Sequence, residues 1–158
     1  MKKGFTLIEV IIYIALFSLL MGSAFVVVYQ LIEGSDKLSV KNTTQEEGNF
    51  VMRKFNWALT GISSIDSPSS GTSNILKVTK YGGNKINICL DSNKIKIREG
   101  GTTCSGNSTE LLPLTTDNVV VSDLSFEFIP AVGSGPSGIK ATVKIDEIDF
   151  TITKYLRK

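Results

Sequence analysis

One side chain near the start of the chain is chemically out of place. Glu9 stands at the head of an apolar run, and between Phe5 and Ile32 it is the only ionisable acid. After Lys2 and Lys3, no basic residue follows until Lys37. A carboxylate costs about 2.5 to 3.5 kcal/mol at the centre of a hydrocarbon layer, and less near its edge. Glu9 is therefore tolerable in a lone membrane helix but calls for a cation wherever its surroundings become dry.

Elsewhere the chemistry is defined by what is missing. The chain has no histidine, which excludes Ser-His-Asp and Cys-His nucleophilic sites and histidine-containing zinc sites. Cys89 and Cys104 are too few for a four-thiolate metal site and leave a disulfide or two free thiols. Gly133-Ser-Gly135-Pro-Ser-Gly138 has dinucleotide-loop spacing, but it contains Pro136, precedes a strand pattern and has no room for an acid about 20 residues on. Asp91-Ser-Asn93 begins like a calcium loop, lacks the glycine and closing glutamate, and reads as a turn. Asn42-Thr-Thr44 and Asn107-Ser-Thr109 fit a glycosylation pattern that is common by chance. No cofactor or metal site emerges, and a non-enzymatic protein is expected. The 17 basic and 15 acidic side chains give a net charge of +2, and without Lys2 and Lys3 the counts are equal. Charge gives no argument for a nucleic-acid partner.

These residues have to be positioned by two different kinds of element. Val10 to Ile32 is 23 residues without a charge, about 34 Å as a helix and enough to cross a ~30 Å hydrocarbon core. Lys2 and Lys3 before it, with Glu33 and Asp36 after it, put the N-terminus in the cytoplasm and the remainder outside. Gly22-Ser23-Ala24 also offers a secretory cleavage point. An exported binding domain, held by a signal anchor or released near Ala24, is thus the alternative reading. Neither form of it uses Glu9.

Gly4-Phe5-Thr6-Leu7-Ile8-Glu9-Val10, behind a short basic leader, resembles the start of type IV prepilins and type II secretion pseudopilins. The resemblance implies cleavage between Gly4 and Phe5 by a prepilin peptidase, N-methylation of Phe5 by the same enzyme, and a mature chain of 154 of the 158 residues. It also implies that Glu9 pairs with the terminal amine of Phe5 on a neighbouring subunit. Within one chain that amine lies four residues from Glu9, roughly 6 Å along a helix, an offset that favours a staggered neighbour. The implied partners are other pilin or pseudopilin subunits, the peptidase and methyltransferase, the inner-membrane assembly platform and the membrane. The implied location is the cytoplasmic membrane and then the filament. Ser18 and Gly22 form a small-x-x-x-small pair suited to close helix approach.

Past the membrane, Val51, Phe55, Leu59 and Ile62 recur at helical spacing. The reading is one long helix from Thr6 to about Ile62, with a bend or local melting near Gly34, Gly48 and Asn42-Thr-Thr44. Of Phe55 and Trp57, one faces the sheet and the other lies at the helix edge. Asp66 to Ser73 reads as a linker. Short alternating runs come next at 75–81, 85–90, 94–98, 119–121, 125–129, 139–145 and 148–155, which predict antiparallel strands. The expected fold is α+β: a leader over 1–4, an assembly helix over 5–32, its amphipathic continuation over 33–65 and a small sheet domain over 66–158. Such a domain is near the size at which a core alone is marginal, and outside the cytoplasm Cys89 and Cys104 can staple it. Pro113-Leu114-Thr115 followed by Val119, Val121, Leu124 and Phe126 is similar to the sheet region of J-like pseudopilins and W-like minor pilins. Val26 takes the place where many major pilins carry a kinking proline, which also points to a minor subunit. The presence of Glu9 argues against the K-like tip type, which lacks that acid.

Overall fold

A computed structural model of the chain describes residues 6–101, 104 and 111–156. It divides into two compact units, Met1–Lys41 and Asn42–Lys158. Helix α1 (Leu7–Ala58) is continuous through both. The architecture is α+β, a long N-terminal helix with antiparallel sheets.

In the first unit, every described residue except Glu9 is exposed. In the second, α1 buries Thr44, Gly48, Val51, Phe55 and Ala58. Their spacing of four, three, four and three places them on one face of a helix with 3.6 residues per turn. Where a bend or local melting is expected, near Gly34, Asn42-Thr-Thr44 and Gly48, α1 is assigned as helix without interruption. Gly48 has a packing reason instead: a Cβ built there would overlap the ring of Phe150.

The helix ends at Ala58, short of the expected Ile62. Leu59 N–H still donates to Phe55 O (2.9 Å), Thr60 N–H donates to Trp57 O (3.2 Å), and Thr60 Oγ1 donates to Asn56 O (2.6 Å). Gly61 then takes φ +67°, a left-handed conformation that glycine adopts without a Cβ clash and that ends helices. Leu59 and Ile62 are both buried as their spacing predicts, but Ile62 is buried by a strand. The apolar period runs past the helix because the sheet continues the same core.

Among the described residues, nine strands succeed the helix: β1 (Ile62–Ser67), β2 (Thr72–Ser73), β3 (Ile75–Lys80), β4 (Lys85–Asp91), β5 (Lys94–Glu99), β6 (Leu112–Pro113), β7 (Val121–Ile129), β8 (Gly138–Ile145) and β9 (Ile148–Tyr155). They form two antiparallel sheets, ordered β1-β3-β4-β5-β6 and β2-β7-β8-β9. The segment read as a linker thus contributes β2 and the end of β1. Phe55 and Phe126 meet in the core with ring centroids 5.4 Å apart, alongside Leu76, Ile88, Leu124, Ile139 and Ile145, all nearly or fully buried.

Two hairpins turn on left-handed non-glycine pairs, Ser92-Asn93 between β4 and β5 and Asp146-Glu147 between β8 and β9. In the second, Ile145 and Ile148 close a two-residue turn. At the far end Leu156 N–H donates to Ser137 O (2.9 Å). The even-numbered residues of β9 therefore point their backbone groups at β8, and Asp149, Thr151, Thr153 and Tyr155 point theirs away. β9 is the outer strand of its sheet.

Candidate functional site: an apolar helix headed by one carboxylate

Gly4 and Phe5, the expected processing residues, lie outside the described residues. Glu9 lies in the first turn of α1. Thr6 opens the helix: its carbonyl accepts from Glu9 N–H (3.1 Å) and Val10 N–H (3.3 Å). Thr6-x-x-Glu9 has the spacing of a capping box, and an acid in the first turn meets the positive end of the helix dipole. The sequence reading did not use this spacing. No basic side chain among the described residues pairs with Glu9.

Beyond Glu9 the helix prepares for a solvent without water. α1 is long and apolar enough to cross a membrane, and nothing in its most apolar window is buried. Ser18 Oγ donates to Ile14 O (2.7 Å) and Ser23 Oγ to Leu20 O (2.8 Å), so both hydroxyls are satisfied within the helix, as a hydrocarbon environment demands. Gly22 has no neighbouring atom within 4 Å of where a Cβ would lie. Among the described residues its lack of a side chain answers no packing need, and it leaves the surface beside Ser18 open.

In the second unit the other candidates resolve into structure. Cys89 and Cys104 are joined by a disulfide across a sequence separation of 15. Asp91 accepts from Lys96 Nζ (2.6 Å), and that hydrogen bond, with the lysine's charge, holds its carboxyl below the ordinary range. Ser92 Oγ donates to Asp91 as well (3.2 Å). This is a hairpin turn, not a calcium loop. Gly133 to Gly138 leads directly into β8, so no helix N-terminus faces it. Among the described residues, no group of three or more His, Cys, Asp or Glu lies together.

Phe55 is fully buried and Trp57 is half exposed, as read from the sequence. Trp57 carries the Lys80 ammonium 4.0 Å above its ring. The same Lys80 Nζ donates to Trp57 O (2.9 Å), and Lys154 Nζ donates to Asn56 Oδ1 (3.0 Å). The last turn of α1 has no basic residue of its own, and two strand lysines supply the positive charge that a helix C-terminus favours. Sequence reasoning had no means of pairing them with the helix, because the partners lie 23 and 98 residues apart.

Residues 1–25 match the family model described as the prokaryotic N-terminal methylation motif, a motif typical of type IV prepilins and pseudopilins. No curated protein and no solved structure gives a significant match to the chain.

Proposed function

We propose that this chain, whose first 25 residues carry the N-terminal methylation motif, is the membrane precursor of a minor, tip-type subunit of a type IV pilus-like filament. A prepilin peptidase cuts between Gly4 and Phe5, Phe5 is N-methylated, and the product assembles with other pilin or pseudopilin subunits through α1. The N-terminus lies in the cytoplasm, and the β-sheet unit lies outside until extraction into the filament.

The observation that carries this reading is the motif set directly before an apolar helix that buries none of its most apolar window. Lipid covers that surface in the precursor. In a filament the neighbouring helices replace lipid, and the ammonium created at Phe5 supplies the cation for Glu9. Two charges buried together are weak stabilisers but strong setters of register, which suits a helix that must stop at one axial position. Ser18 and Gly22 let a neighbour approach closely.

N-terminal mass spectrometry of the protein from its membrane tests the reading. A chain beginning at methylated Phe5 is expected. An intact Met1, or a start at Phe25, would overturn it in favour of an anchored or secreted domain.

A further inference from the structure

The helix segment from Asn42 to Phe50 buries only Thr44 and Gly48, whereas the shorter segment from Val51 to Ala58 buries Val51, Phe55 and Ala58. Asn42, Thr43, Thr44 and Gly48 are poor helix formers. Within the segment Thr44 and Gly48 alone are buried, and both are buried against the β8–β9 hairpin. Thr44 Oγ1 donates to Asp146 Oδ2 (2.8 Å), and Gly48 lies under the ring of Phe150. The next buried helix residues, Val51, Phe55 and Ala58, belong to the main core.

The turn that receives Thr44 is a two-residue hairpin turn, a type in which both central residues take positive φ. Asp146 (φ 45°) and Glu147 (φ 71°) are both left-handed without being glycine, a conformation that persists only where the surroundings over-determine it. Here Asp146 Oδ1 accepts from Val120 N–H (2.9 Å), Asp146 N–H donates to Val120 O (3.0 Å), and the second carboxylate oxygen takes Thr44. One side chain thus ties together the helix, the hairpin and the segment entering β7.

We propose that the Asp146 turn is a releasable clasp on α1. When the Thr44–Asp146 bond opens and Gly48 leaves the Phe150 ring, residues 42–50 lose both buried contacts that offset their poor helicity and melt as one local unit, while Val51, Phe55 and Ala58 keep the rest of the helix docked. A nine-residue stretch covers about 13 Å as helix and up to about 30 Å extended. Opening therefore converts a fixed length of helix into a longer, compliant link between the apolar helix and the sheet unit. The clasp stands independently of the filament reading, since it needs only the chain itself.

Hydrogen exchange on the full-length protein in lipid nanodiscs tests it, comparing wild type with Thr44→Val. Valine keeps the volume and the β-branching and removes only the hydroxyl. Exchange at amides 45–50 should rise roughly tenfold, with amides of Phe55 to Leu59 and of β3 and β4 unchanged. Adding Asn42→Ala and Thr43→Ala should restore protection by raising intrinsic helicity. Unchanged exchange at 45–50, or a parallel rise across the whole sheet unit, would overturn the clasp.

Discussion

At the scale of single residues, Glu9 has one place in the chain and a second in the proposed filament, and the two do not compete. In the lone chain it belongs to the first helical turn, where Thr6 opens the helix and the dipole favours an acid. Under the proposed function it also partners the ammonium created at Phe5 of a neighbour. Glu9→Ala should therefore leave membrane insertion and processing intact and lower the amount of subunit recovered in sheared filaments by an order of magnitude or more, a cost of at least about 1.4 kcal/mol, because the Phe5 ammonium is then buried without a partner. Full recovery of the variant would remove the register role. Glu9 was legible because a charge in an apolar run needs an explanation that no neighbour provides. Asp146 was not, because its work lies in hydrogen bonds to Thr44 and Val120, separated from it by 102 and 26 residues.

At the scale of elements, periodicity located the strands and the buried helix face but misplaced the boundaries between them. Val51, Phe55, Leu59 and Ile62 read as one apolar stripe, yet α1 ends at Ala58, before the last two, and the chain turns through Gly61 into β1. Hydrophobic spacing reports burial and cannot tell which element does the burying. β6 and β2, two residues each, are too short to leave a pattern. Gly48 read as a weak point, when its reason is the nearby ring of Phe150. The disulfide belongs to this scale too, since it ties β4 to the segment holding Cys104. A closed loop of about 15 residues contributes about 3 kcal/mol in the chain-entropy model. Cys89→Ser with Cys104→Ser should lower the melting temperature of the sheet unit by several degrees, read by thermal circular dichroism. Reductant should have the same effect on wild type and none on the variant.

For the molecule as a whole, the sequence divides its labour cleanly: an apolar first part of α1 in which no described residue up to Lys41 is buried, and a second unit that holds the hydrophobic core. The strand that completes that core also ends it. Asp149, Thr151, Thr153 and Tyr155 hold out a row of backbone donors and acceptors that no strand among the described residues pairs, on an eight-residue outer strand. Ile148, Phe150, Thr151, Ile152 and Thr153 give that strand high β-propensity, and it contains no proline. Such an edge is a template for misassembly wherever the protein becomes crowded outside its membrane. Thr151→Pro removes an outward N–H without touching the ladder to β8, and light scattering of detergent-solubilised protein should show slower aggregation with unchanged folding. Equal aggregation rates would place the hazard elsewhere, in the apolar helix. The same eight residues that close the fold thus set an upper limit on how concentrated the free subunit can safely be.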